Sequence, residues 1–353
     1  MKYVVVLILI LIVAWYMFRN RGHAFWDRQP VSRKGGSGDG IVSSIIPDPI
    51  VVKYPDKIET VSPDNTSFHK SFARFLNNHY VKDYIFDQKY ISWLLGHPGL
   101  QKRNITTIRR NQEIIGTIMS KPYSIVMNGN VVPTNYVDML SVHTKHRNKN
   151  YAPVLISNML TNSCDETYKT CIFKKEEKPL PFNYICKTKY YSKDITRKVR
   201  VDPRYALTPT SPDDLEYVSG LYEKESVKYK CFPILDDAQV QYIFGANSLI
   251  LKVDGVRKGV MTYTLNHIEN TSTKIAEITL LLCEDDSYVE AMKHMINYCH
   301  THKIDILLCI DMAKNRKCID TLGFDKGLDV YFQMYNYAVN EPLNPGDVLF
   351  NFF

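Results

Sequence analysis

The segment Tyr136–Ile156 constrains this chain more than any other. It is an extended apolar run, then a basic polar loop, then a helix start with Pro153 in its first turn. A strand that delivers such a loop onto a helix N-terminus makes an anion site, because unpaired N–H groups and the helix dipole both face the anion. The loop reads Arg147-Asn148-Lys149-Asn150-Tyr151-Ala152. Its two cations suit a diphosphate, and after Gly, Asn is the residue that best suits a left-handed backbone at position 150. A solvated basic loop capping a surface helix is the competing reading of the same residues.

A chain of 353 residues has room for two domains, and 45% apolar with 12% aromatic residues describes a globular protein. The formal net charge is +7, with Lys and Arg spread along the chain. No zinc-finger spacing or aromatic–basic RNA-binding consensus accompanies it, so no nucleic-acid partner is expected. An anionic ligand, or a nearby anionic membrane surface, fits the charge better. The eight cysteines are dispersed from Cys164 to Cys318 without a C-x-x-C pair, as reduced thiols are. His294, Cys299, His300 and His302 share one helix but lack an i, i+4 His pair with a carboxylate, so no metal is expected.

The N-terminus is different in kind. Tyr3–Phe18 is uninterrupted apolar sequence, with Trp15 and Tyr16 near one end and Arg19 and Arg21 beyond it. As a helix it spans roughly 24 Å at ~1.5 Å per residue, slightly short of a ~30 Å hydrocarbon core, with Lys2 and Arg19 able to snorkel. A cleaved signal peptide needs small residues at its cleavage site, and Trp15-Tyr16-Met17-Phe18 has none. The expectation is a membrane anchor over residues 1–20, contacting the bilayer through residues 3–18. Positive charge is heavier after it, which predicts a single-pass protein with the rest of the chain facing the cytosol.

After the Gly-rich connector Gly35–Gly40 the chain repeats one pattern. Amphipathic helices near Ser67–Tyr80 and Gln88–Leu95 lead to strands Ile105–Arg110, Glu113–Met119 and Tyr136–Val142. Helix Pro153–Asn162 and strand Tyr168–Phe173 complete the unit. Ser211-Pro212-Asp213-Asp214 opens a second copy with a capping-box-like start. Its members are a helix near Asp237–Phe244, strands Ser248–Val253, Arg257–Leu265 and Ile275–Leu282, a helix opened by Ser287, and strand Asp305–Ile310. Gly116 and Gly259 hold matching places. The copies differ at one corner: Cys283-Glu284-Asp285-Asp286-Ser287 is acidic and would repel a diphosphate. One copy can hold such an anion; the other has a different task.

The loop fits the R/Q-x-x-G-x-G/A pattern of acyl-CoA-binding acetyltransferase-type folds, with Asn150 in the first Gly place. The whole segment also resembles the acyl-CoA-binding signature of the N-myristoyltransferase family. Met139-Leu140-Ser141-Val142-His143 falls on its FLCVH, Arg147-Asn148-Lys149 on RSK, and Ala152-Pro153-Val154-Leu155-Ile156 on APVLI. Three further islands agree in order. Phe25–Val31 is similar to FWDTQPV. Leu76–Asp83 with Trp93–Gly99 is similar to LLNENYVED and WALRPPG. Asp311–Asn336 is similar to the family's DLMENKTFLEKLKFG end. The likeness covers roughly residue 23 onward.

The resemblance implies an α+β fold: a duplicated acyl-CoA N-acyltransferase (GNAT-type) fold with two pseudo-symmetric halves. Here residues 21–202 would be the acyl-CoA-binding half and 203–353 the peptide-binding half. It implies transfer of a myristoyl group from myristoyl-CoA to the N-terminal glycine of proteins, with no metal or redox cofactor. An oxyanion hole would fall on the backbone N–H groups of Met139 and Leu140. CoA contacts would fall on Ala24, Phe25 and Trp26, on Met139, Leu140, Ser141 and Val142, and on Arg147, Asn148, Lys149, Asn150, Tyr151 and Ala152. Asn150 replaces a basic residue of the family. The base would be the C-terminal carboxylate, here Phe353 after an apolar Val348–Phe352 run, with Thr170 matching an auxiliary threonine. Asp83, Tyr84, Phe86, Tyr190, Phe324 and Asp325 would line the peptide groove, in loops shortened relative to the family. The alternative is a non-catalytic membrane or envelope protein that keeps the fold.

Overall fold

The computed structural model describes residues 25–32, 38–53, 55–80, 84–268 and 271–350. Among them no helix is long and apolar enough to cross a membrane. The expected single-pass localisation is therefore corrected: no described helix can carry it, and residues 3–18 lie outside the described residues.

The first run of elements is β1 (Gly40–Ile41), β2 (Asp56–Thr60), α1 (Thr66–His79), β3 (Tyr84–Ile85), α2 (Gln88–Leu95), β4 (Ile105–Arg110), β5 (Glu113–Met127), β6 (Asn130–Val142), α3 (Tyr151–Ser163), β7 (Thr170–Glu176) and β8 (Tyr184–Asp194). The second is β9 (Tyr205–Pro209), α4 (Leu215–Ser226), β10 (Cys231–Ile234), α5 (Asp237–Phe244), β11 (Ser248–Val253), β12 (Val256–Ile268), β13 (Lys274–Cys283), α6 (Tyr288–Thr301), β14 (Ile306–Ile310), α7 (Asn315–Leu322), β15 (Asp325–Tyr335) and β16 (Tyr337–Ala338). The chain is thus α+β, and the sequence α-β-α-β-β-β-α-β occurs in each run.

Local signals explain most starts and turns. Asn65 caps α1 by accepting from the Phe68 N–H, and Asp87 does the same for α2 from Tyr90. Ser211 and Asp214 form the expected capping box, with Pro212 at the first position. Asn128-Gly129 turns β5 into β6 with positive φ at both residues, and Asp254-Gly255 turns β11 into β12 in the same way.

One continuous sheet runs β2-β4-β5-β6-β7-β15-β8-β14-β13-β12-β11-β9. Its two runs are exchanged at the middle. β8, from the first run, pairs with β14, while β15, from the second, pairs with β7. In each half one parallel pair carries the strand-to-helix corner: β6 beside β7, ending at Val137↔Phe173, and β13 beside β14, ending at Glu277↔Leu308. Beyond those last pairs the strands part, and the two openings face each other across the centre of the sheet.

The matching glycines mark close approaches. A Cβ on Gly116 would meet Leu155 Cδ1 of α3 at 2.8 Å, and one on Gly259 would meet the Leu282 carbonyl at 2.6 Å. Beneath the sheet, α1 and α2 bury Phe68, Phe72, Phe75, Leu76, Ile91 and Leu94 against Met119 and Met139. Burial of each such side chain is worth roughly 1.5–3 kcal/mol, which fixes the helices over the end of β6.

Candidate active site

β6 carries two special features within a few residues. The first is a bulge: pairing with β5 jumps from Thr117↔Ser141 to Met119↔Asp138, so Met139 and Leu140 face a single residue of β5. Met139 sits at φ +53, an uncommon conformation for a side chain of its kind. Its side chain is core, 4% exposed, whereas Leu140 is 39% exposed. Its carbonyl accepts from the Thr117 hydroxyl at 3.1 Å. Its N–H donates to Asp138 Oδ1 at 2.7 Å, so the predicted oxyanion donor already holds a carboxylate.

The second feature is the loop onto α3. Asn148 and Asn150 both have positive φ, and Asn150 is the left-handed N-cap of α3. Arg147 through Asn150 are exposed. The Arg147 guanidinium donates to the Val142 carbonyl at 3.3 Å and to the His79 carbonyl, tying the loop to the end of α1. Tyr151 belongs to a structural network: its hydroxyl donates to Asp56, which also takes a two-point contact from Arg110. Arg110 holds the Asp56 carboxyl below the usual carboxylate range.

Three histidines to which sequence reasoning assigned no role at the site gather along this loop. His79 and His143 rings lie 3.9 Å apart, and His143 and His146 rings 5.3 Å apart. Burial first, then neighbouring positive charge, lowers the pKa of both His79 and His146. Gathered cations with histidines held neutral are what an incoming polyphosphate would recharge.

Where the strands part, a cavity of about 50 Å³ is lined by Tyr136, Lys174, Glu277, Phe332 and the segment Val348–Phe350. Lys174 Nζ donates to the Tyr190 hydroxyl at 2.6 Å, and that hydroxyl donates to Glu277 at 3.0 Å. Lys174 and Glu277 thus bridge the two facing openings, 3.9 Å apart. Burial alone would lower the Lys174 pKa, but Tyr190 and Glu277 carry it well above the ordinary value. Val348 bridges to Cys231, and the Leu349 N–H donates to the Cys231 carbonyl, which steers Phe350 against Phe332.

The remaining predicted residues are distributed less tightly. Ala24, Asp83 and Phe353 lie outside the described residues. Trp26 is buried against Phe182, with Phe25 at its edge. Ser141 is buried beside the bulge, and Ala152 and Val142 are half-buried. The Thr170 hydroxyl donates to the Pro133 carbonyl at the start of β7, four residues before the strands part. Tyr84 sits in β3, paired with Ile268. Phe86 is buried between Tyr80 and Tyr90, its backbone held by Asn77. Phe324 belongs to the core of the second half, and Asp325 pairs with Ser192 at the start of β15. Among the described groove residues, Tyr190 is the one that reaches the central cavity network. The acidic corner is neutralised by cations, Glu284 by Lys258 and Asp286 by Lys317.

The sequence model for "Myristoyl-CoA:protein N-myristoyltransferase, N-terminal domain" matches residues 42–177. A glycylpeptide N-tetradecanoyltransferase 2 of Bos taurus is 20% identical, over 89% of this chain and 73% of its own length. A glycylpeptide N-tetradecanoyltransferase of Dictyostelium discoideum is 21% identical, over 91% and 90%. A crystal structure of Saccharomyces cerevisiae N-myristoyltransferase with bound myristoyl-CoA superimposes with a TM-score of 0.80 at 17% identity, covering 92% of this chain and 95% of that one. At that identity the likeness shows the fold.

Proposed function

Taking as premise that this chain belongs to the N-myristoyltransferase family, we propose that it moves a myristoyl group from myristoyl-CoA to the N-terminal glycine of protein substrates. The chain is an acyltransferase, and myristoyl-CoA is its acyl donor. The duplicated acyl-CoA N-acyltransferase reading of the fold is part of this proposal, and so is the division into a CoA half and a peptide half.

One observation carries the reading. The end of β6 places a bulged pair of backbone donors, Met139 and Leu140, a few residues ahead of a basic loop at a helix N-terminus. A CoA diphosphate on Arg147–Ala152 would lay the thioester back along β6 towards that bulge. Developing negative charge on the thioester oxygen would be met by the two N–H groups. The glycine ammonium would give one proton to a base and attack the carbonyl carbon as the free amine. The C–S bond then breaks, and the thiolate takes the second amine proton. The resemblance would put the base on the carboxylate of Phe353, a residue outside the described ones.

The experiment is direct: incubate the chain with myristoyl-CoA and a Gly-initiated peptide, beside the same peptide N-acetylated. Acylation of the free amine alone is expected. A chain that binds acyl-CoA yet transfers nothing would favour a non-catalytic role, which no observation on the described residues supports.

A further inference from the structure

The most unusual group near the candidate site is Lys121. It lies on β5 opposite Tyr136, with a side chain 0% exposed. Its Nζ has no hydrogen-bond partner among the described residues. Its ion-pair partner is Asp138, with Oδ2 at 3.9 Å, and the Tyr136 ring centroid is 5.3 Å away. A buried ammonium without a hydrogen bond is an expensive feature, and a small movement of one carboxylate would satisfy it.

That carboxylate is already engaged. Asp138 Oδ1 accepts the Met139 N–H at 2.7 Å, so one carboxylate stands between two buried donors and satisfies only the backbone one. A thioester oxygen seeks the same N–H. Two anionic acceptors cannot share it, and a carboxylate beside a developing oxyanion would oppose the reaction.

We propose that Asp138 is a displaceable plug of the Met139 donor and that Lys121 is the positioning residue that draws it away. When the substrate carbonyl supplies a new acceptor to the Met139 N–H, the Asp138 carboxylate turns to the Lys121 ammonium. Both donors are then satisfied, so substrate binding and the Asp138–Lys121 contact strengthen each other. This rests on the proposed acyl-transfer reading. The groups facing Lys121 are Asp138, His97 and the Tyr136 ring; those that feel Asp138 from other elements are Tyr80, Tyr90 and Tyr242. Burial, partly offset by Asp138, pushes Lys121 down to about 8. Above that pH the amine is neutral and its pull on the carboxylate is lost.

The test compares binding of myristoyl-CoA with that of its thioether analogue, which lacks the carbonyl, at pH 7 and pH 9. In the native chain the preference for the thioester should fall from pH 7 to pH 9. In Lys121→Met, which keeps length and removes charge, the preference at pH 7 should drop about tenfold and lose its pH dependence. Asp138→Ala removes the plug, so its preference should be at least native at both pH values; the double variant should recover what Lys121→Met loses. A Lys121→Met protein that binds both ligands with native preference and native pH dependence overturns the proposal alone. A native chain that binds neither ligand overturns the proposed function, and this inference with it.

Discussion

Gly116 of β5 lies directly beneath Leu155 of α3: a Cβ added to the glycine would meet Leu155 Cδ1 at 2.8 Å, and Leu155 is fully buried. The contact sets how closely α3 approaches the sheet, and therefore where its N-terminus and the basic loop sit relative to the β6 bulge. Gly116→Ala should destabilise the fold by about 1–3 kcal/mol, the usual cost of overpacking a filled core. It should also weaken acyl-CoA binding, because it pushes the loop outward. Thermal denaturation and titration of the folded variant read the two effects separately.

The loop charges should matter in one half only. Arg147→Ala with Lys149→Ala should weaken acyl-CoA binding by about 1–3 kcal/mol per lost charge-assisted contact. Arg147→Ala alone should also loosen the end of α1, since the guanidinium braces the His79 carbonyl. Charge reversal at Glu284 and Asp285 should leave acyl-CoA affinity unchanged. Equal sensitivity at both corners, measured by calorimetry, would remove the division of labour between the halves.

The histidine stack predicts a pH dependence whose sign follows from its environment. His79 and His146 are held below the ordinary imidazole value by burial and neighbouring positive charge, so both are neutral near pH 7. A bound polyphosphate favours their charged forms, so binding should take up protons and tighten as pH falls below about 6.5. Calorimetry in two buffers of different ionisation enthalpy counts those protons. His146→Asn should lower the count.

Buried ionisable groups give the fold its own pH profile. The Lys121 pKa lies below its unfolded value, so the unfolded chain holds more protons between about pH 8 and 10.5, and stability should rise with pH across that window. Lys121→Met should add roughly 3 kcal/mol at pH 7 and nothing above pH 10.5. His97, buried and beside Lys121, is pushed down to about 3. Stability should fall as pH drops from about 6.5 towards 3, and His97→Phe should flatten that decline. Chemical denaturation across pH checks both signs.

Much of this architecture can be read from short-range rules. The Ser211 cap, the Asp254-Gly255 turn, the helices over Gln88–Leu95 and Asp237–Phe244, and the left-handed Asn150 all follow from local chemistry. Asn128-Gly129 is an equally strong hairpin signal, yet β5 and β6 extend well past the expected Glu113–Met119 and Tyr136–Val142. The exchange of β8 and β15 was beyond reach, because partners far apart in sequence leave no periodic trace. The same distance hid the contact of Lys174 with Glu277. Lys121 was hidden differently: a single lysine in an apolar strand reads as an outward-facing residue until the layer above it is known.

The central claim is acyl transfer at the end of β6, and single turnover tests it most directly. The chain is preloaded with one equivalent of myristoyl-CoA and mixed with a Gly-initiated peptide, and free CoA thiol and acylated peptide are followed together. The account predicts that the two appear in equal amounts, with the acyl group on the glycine α-amine. Myristoyl-CoA that binds but releases no thiol in the presence of the peptide would contradict the account.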